Sequence, residues 1–124
     1  RDNHFVSWVY KSLKENLEIN VTNEQTSNPT YIPLFVEAIY NALLVRYKGL
    51  LHYGSDNFIS RYDFAVQIAN AFSLNQQLIN PVNNKFLNQI AKRPVDSSLN
   101  TQKIINDLNI NTYTTSYILS EMSI

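Results

Sequence analysis

The sequence contains no cysteine, which removes disulfides, thiol nucleophiles and thiolate metal sites together and fits a reducing compartment. Glycine is almost as scarce: Gly49 and Gly54 are the only two among 124 residues. They cannot supply a Gly-x-Gly-x-x-Gly fingerprint, a phosphate loop or a Gly-x-Ser-x-Gly elbow, so the usual route to dinucleotide binding is excluded. Charged residues make up 16% and sum to zero, against roughly 25% in average soluble proteins. This argues against a nucleic-acid or acidic-membrane footprint. No apolar run approaches the roughly 18 residues of a membrane helix, and no basic-then-apolar signal segment opens the sequence. The expected location is therefore the cytoplasm. Histidine occurs only at His4 and His52, without acids at ligand spacing, so no metal site is expected. Asn20-Val21-Thr22 matches a glycosylation acceptor and is read as a chance match.

What is present is one domain's worth of chain, residues 1–124, with a single core. Arg1 is not a methionine and a helical pattern starts within a few residues of it, so the expectation is a chain that begins inside a longer protein. Phe5, Val9, Leu13 and Leu17, with Trp8 beside them, predict a helix over about 3–16, capped by Asp2 or Asn3. Ile19 to Thr22 alternates as a strand, and 23–29 is a polar loop. Phe35, Ala38, Ile39, Ala42 and Leu43 mark a second helix. The apolar run between the glycines, 49–54, predicts a buried strand with His52 as a hydrogen-bonded core residue. Ser60-Arg61-Tyr62-Asp63 resembles a capping box, and Phe64, Ala65, Ile68, Ala69 and Phe72 continue it as the most secure helix. A strand over 77–82, a turn of helix over 85–89 and helices over 101–108 and 114–122 complete the pattern. Asparagine is frequent throughout, which we read as genome composition.

Two stretches invite a chemical reading. Tyr10 and Lys14 have the Tyr-x-x-x-Lys spacing in which a lysine charge lowers a tyrosine pKa. They lie on a helix whose apolar face is Phe5, Val9 and Leu13, with no nucleotide-binding strand before it, so a solvated face is expected. The second stretch, Ala91 to Lys103, places a basic pair, a proline, an acid and two hydroxyls ahead of a helix. Arg93 offers a planar fork suited to phosphate, and Pro94 pushes it toward an extended conformation. Asp96, Ser97 and Ser98 can exchange hydrogen bonds with sugar hydroxyls. The same residues also read as a surface loop in which Arg93 pairs with Asp96 and Asn100 caps the next helix.

The segment Arg93-Pro94-x-Asp96-Ser97-Ser98-Leu99-Asn100-Thr101-x-Lys103 resembles the Arg-Pro-x-x-Ser-Ser-Leu-Asp-Thr-x-Lys signature of dTDP-4-dehydrorhamnose reductases, in the extended short-chain dehydrogenase group. Four further blocks agree in order. Arg1 to Val6 is similar to Arg-x-Asn-Asn-Phe-Val, and Glu24 to Tyr31 to Asp-Gln-x-Gly-x-Pro-Thr-Tyr. Gly49 to Gly54 is similar to Gly-x-Tyr-His-x-Gly, and Ser60 to Ala65 to Ser-Arg-Tyr-Glu-Phe-Ala.

The resemblance implies an α/β fold: the small C-terminal substrate-binding domain of such an enzyme, helices with a few short strands, without its Rossmann domain. It implies a reductase that passes hydride from NADPH or NADH to the C4 ketone of a dTDP-linked 4-keto-6-deoxy sugar, in dTDP-L-rhamnose biosynthesis. The cofactor and the catalytic Tyr-x-x-x-Lys would belong to the N-terminal Rossmann domain of the same protein; Tyr10 and Lys14 do not occupy that place. This chain alone would bind no cofactor and be inactive. By the same resemblance Arg93 contacts the diphosphate, and Asp96 and Ser97 shape the pocket. Gln25 and Thr30 support the loop over sugar and nicotinamide, and Asn3 lies near the inter-domain cleft. Apolar surface left by the missing domain favours a homo-oligomer. Two alternatives share the architecture: a non-catalytic regulatory subunit resembling that of methionine adenosyltransferase, and a nucleotide-sugar epimerase. Departures from the pattern are His4 for Asn, Ser27 for a turn glycine, Leu34 for a helix-capping Asp and Asn100 for Asp. Ser27 puts a positive backbone dihedral in doubt, whereas Asn100 keeps the capping function.

Overall fold

A computed structural model describes residues 4–122; Arg1, Asp2 and Asn3 lie outside the described residues. The first helix, α1 (Phe5–Lys14), is shorter than the apolar spacing predicts. Its N-cap is His4, whose imidazole accepts from the Ser7 amide at 3.4 Å. Asn16 ends the helix in the left-handed region at φ 56°, with Leu17 N–H bonded to Ser12 O at 2.9 Å. Val9 and Leu13 are buried, while Trp8 and Leu17 at the edges of the stripe stay exposed.

Strand β1 (Ile19–Thr22) pairs in parallel with β4 (Ile79–Val82), Ile19 opposite Ile79 and Val21 opposite Pro81. A 3₁₀ turn over Gln76–Leu78 takes the place of the first two residues of the predicted strand. Helices α1 and α3 (Arg61–Ala71) pack against this pair, and α5 (Thr115–Glu121) packs against α3. Their core joins Val9, Leu13, Ile19, Val21, Phe64, Ile68, Ile79 and Leu119. Helix α3 sits at its centre, with Ala65, Ile68 and Ala69 wholly inaccessible. Its predicted cap is present: Ser60 Oγ accepts from the Asp63 amide at 3.0 Å and donates to the Asp63 carboxylate at 2.6 Å.

A second, smaller cluster holds Ala38, Tyr53 and Ile104, from α2 (Ile32–Leu44), the following extended segment and α4 (Gln102–Leu108). Of α2 only Ala38 is buried; Phe35, Ile39 and Leu43, expected on a core face, are exposed. The helix is apolar nearly all round, so its periodicity does not say which side faces inward. No acid stands in its first turn and Tyr31 gives no side-chain cap.

The predicted strand over 49–54 is not formed. These residues have no ladder partner, and His52 is exposed rather than a core histidine. Burial begins instead at Tyr53, Gly54 and Ser55. The polar loop over 23–29, conversely, hides strand β2 (Thr26–Ser27), antiparallel to β3 (Ile59–Ser60). Ser27 lies in this strand and is not among the positive-φ residues, so the turn dihedral of the resemblance is not used. Residues 84–88 form successive turns rather than a turn of helix.

Candidate functional site

The Arg93–Ser98 segment is held by β2. Thr26 N–H donates to Val95 O at 2.7 Å and Ser97 N–H to Thr26 O at 3.0 Å, which sets Asp96 beside Thr26 as a parallel bridge. The other edge of Thr26 faces Ser60, so the segment hangs on a small sheet that leads directly into α3. Gln25 O receives the Arg61 amide at 3.0 Å and completes that join.

Asp96 turns its carboxylate back on the chain and accepts from the Ser98 amide at 2.8 Å. The neighbouring Ser98 hydroxyl and this amide hold the Asp96 carboxyl below the usual carboxylate range. The amide contact is the geometrically sound bond, because Ser98 Oγ is buried without a hydrogen-bond partner of good geometry. An exposed, ionised Asp96 is an acceptor for hydroxyls at neutral pH. Arg93 is exposed too and makes no ion pair or hydrogen bond with a described residue, so the expected surface pairing with Asp96 is not formed. Its five donors remain open to an anion. Ser97 spends its amide on Thr26 O and places its hydroxyl 3.3 Å from the same oxygen. Asn100 caps α4 by accepting from the Gln102 amide at 2.9 Å, although Thr101 is the formal boundary residue.

Gln25 is buried and its amide points inward, donating to Asn84 at 2.8 Å and Gln89 at 3.1 Å. Thr22 shares the Asn84 acceptor at 2.9 Å, and Glu24 accepts from the Asn84 amide at 2.8 Å. Gln25 thereby anchors the turns that lead to Arg93 and does not itself face the groove beside Asp96. Thr30 lies elsewhere, its hydroxyl 3.4 Å from Tyr53 O, on the wall of a mostly apolar cleft of about 400 Å³. His4, Tyr31, Phe64 and Ile118 also line that cleft. Asp96 opens on a different and more polar groove of about 650 Å³ with Asp56, Ser98 and Gln102. The structure therefore joins Asp96, Ser97 and, through support, Gln25, and sets Thr30 apart; Asn3 lies outside the described residues.

Tyr10 and Lys14 are an exposed pair, with Nζ 3.4 Å from the hydroxyl. Among the described residues no cluster of His, Asp or Glu is placed to hold a metal ion, and no helix is long and apolar enough to cross a membrane. Reasoning from sequence missed Thr26, Asn84 and above all Asn28. All three look like ordinary polar loop residues in an asparagine-rich chain.

A parallel strand pair wrapped by helices, with a second small sheet carrying an Arg-Pro-x-Asp-Ser corner, defines the small α/β domain that accompanies the nucleotide-binding domain in extended short-chain dehydrogenases. The chain belongs to the RmlD substrate binding domain family, whose model matches residues 1–122. Its fold is similar to that of dTDP-4-dehydrorhamnose reductase from Bacillus anthracis, solved with NADP, at 22% identity and a TM-score of 0.87 over 96% of this chain and 42% of that one. A hypothetical dTDP-4-dehydrorhamnose reductase from Sulfolobus tokodaii is 30% identical, with a TM-score of 0.79 over 92% of this chain and 40% of that one. A dTDP-glucose 4,6-dehydratase from Bacillus anthracis, solved with NAD, shares the fold at 15% identity and a TM-score of 0.74, over 95% of this chain and 37% of that one. The chain thus spans about two-fifths of the length of these proteins. No curated protein matches it in sequence.

Proposed function

We propose that this chain is the substrate-binding part of an NAD(P)H-dependent dTDP-4-dehydrorhamnose reductase and that its ligand is a dTDP-linked 4-keto-6-deoxy sugar. The reading rests on one observation: the segment with the family's Arg-Pro signature is hung on β2 at Val95 to Ser97, with Arg93 exposed and without a partner among the described residues and Asp96 ionised three positions further on. Arg93 binds the diphosphate by charge-assisted hydrogen bonds. Asp96 accepts from sugar hydroxyls, and Ser97 shapes the corner. Gln25 holds the turns before Arg93 in place, while Thr30 and the apolar cleft beside it keep water from the reacting end. Asn3, outside the described residues, is assigned by the family resemblance alone to the neighbourhood of the inter-domain cleft.

The residues of this chain do not fit a nicotinamide dinucleotide, since two glycines make no fingerprint loop. The cofactor, and the groups that deliver hydride to C4 and a proton to its oxygen, are assigned to a nucleotide-binding domain of the same protein, in the cytoplasm. The exposed apolar side of α2 suits contact with such a domain.

Substituting Arg93→Ala in the protein that carries this domain is expected to raise KM for the dTDP-sugar by the equivalent of about 1.5 to 3 kcal/mol. An unchanged constant returns Arg93 to an ordinary surface loop. The 124-residue chain by itself is expected to show no turnover with NADPH or NADH, and measurable reduction of a 4-keto sugar nucleotide would overturn that assignment.

A further inference from the structure

We infer that Asn28 is a positioning residue for the diphosphate corner, acting through Leu99; this rests on the reading of Arg93 above. Asn28 is buried. Its Oδ1 accepts from the Leu99 amide at 2.8 Å, and its Nδ2 donates to Leu99 O at 3.0 Å and to Ser55 O at 3.2 Å. Two opposed bonds between one side-chain amide and one residue's backbone reproduce the pairing of neighbouring strands. Asn28 so extends the sheet beyond the point where β2 itself stops. Thr26 holds the segment at Val95 and Ser97, and Asn28 holds it again at Leu99.

Gly54 belongs to the same device. A Cβ at that position would lie 2.5 Å from Asn28 Nδ2, 2.8 Å from its Cγ and 2.9 Å from its backbone oxygen. The close approach leaves no room for a side chain, and it lets Ser55 O reach the amide. The neighbouring Ser55 N–H closes on Pro29 O at 3.0 Å, so the backbone on both sides of the latch is tied down. Asn28 touches no ligand in this scheme. It fixes where Asp96 to Leu99 run and, with them, the direction in which Arg93 leaves the sheet.

The test is calorimetric titration of the protein carrying this domain with dTDP, in wild type, Asn28→Ala, Gly54→Ala, Arg93→Ala and Asn28→Ala/Arg93→Ala, below every melting midpoint. Asn28→Ala and Gly54→Ala are each expected to weaken dTDP about tenfold, the scale of one or two lost hydrogen bonds. The double variant is expected to bind no more weakly than Arg93→Ala, because Asn28 works through that corner. Wild-type affinity in both single variants, with Arg93→Ala weakened, overturns the inference, as do effects of Asn28 and Arg93 that multiply. Wild-type affinity in Arg93→Ala instead overturns the functional reading, and this inference with it. Gly54→Ala keeps every atom of Asn28, so it carries the test if Asn28→Ala does not fold.

Discussion

At the scale of single residues, the polar chemistry of this domain is carried by amides rather than charges. Asn28, Asn57 and Asn84 each satisfy two or more groups across long sequence separations, Asn57 by clasping Thr115 through its side chain at 2.9 Å and its backbone amide at 2.9 Å. The excess of asparagine, which suggests only genome composition, therefore includes residues that stitch loops to the core. Arg93 stands out in the sequence because a planar fork of donors precedes a proline within a recognisable signature, but an amide among many amides gives no such signal. The charged groups matter at the edges of the pH range. Tyr53 is buried, and its hydroxyl is pushed above the ordinary value of 10.0 by burial and then by Tyr113, Glu37 and Asp56. The folded state thus holds this proton more tightly than the unfolded one, so stability falls as pH rises above 10. Tyr53→Phe is expected to lose less of its urea midpoint between pH 8 and about pH 11 than wild type; an equal loss in both proteins assigns the alkaline sensitivity to other groups.

Among the elements, helices were legible where a polar cap adjoins a clear stripe, as at Ser60 and α3, and their ends were not. The usual stop signal is glycine, and this chain has none to spare. Helices α1, α2 and α3 instead end on Asn16, Arg46 and Ser73 at φ 56°, 50° and 54°. In each, the next residue returns a hydrogen bond five positions back: Leu17 to Ser12, Tyr47 to Ala42, Leu74 to Ala69. Only the asparagine is suited to that conformation. Ser73→Gly is accordingly expected to stabilise the domain by about 0.5 to 1 kcal/mol, the relief of left-handed strain less the entropy of an added glycine. A lower thermal midpoint for this variant would show that Ser73 is not strained. The missed strands have a related cause. Strand β2 is two residues of Thr and Ser within a polar run, too short for alternation to be seen. The apolar stretch over 49–54 has strand composition, but it joins no sheet, and within it only Tyr53 and Gly54 are buried.

For the molecule as a whole, the conspicuous feature is the outer side of α2. Ile32, Val36, Ile39, Tyr40 and Leu43 recur at helical spacing and are all exposed, Ile32 at 71% and Leu43 at 69%. Contiguous apolar patches beyond roughly 300 to 600 Å² are rare on free monomers and mark contacts. The solved proteins of this fold extend well beyond the two-fifths that the chain covers, and on the function proposed above the patch would pack against a nucleotide-binding domain. The assignment makes opposite demands on two samples. The 124-residue chain alone, with the patch open to water, is expected to self-associate as its concentration rises. Replacing Val36 and Leu43 together with lysine puts charge at two turns of the same face without touching Ala38, and should restore a monomer while the fold persists by circular dichroism. In the longer protein the same double substitution should lower stability, because lysines are then forced against the neighbouring domain. A monomeric wild-type chain in sedimentation velocity at high concentration, or a longer protein whose melting midpoint ignores the two lysines, would remove α2 from the inter-domain contact.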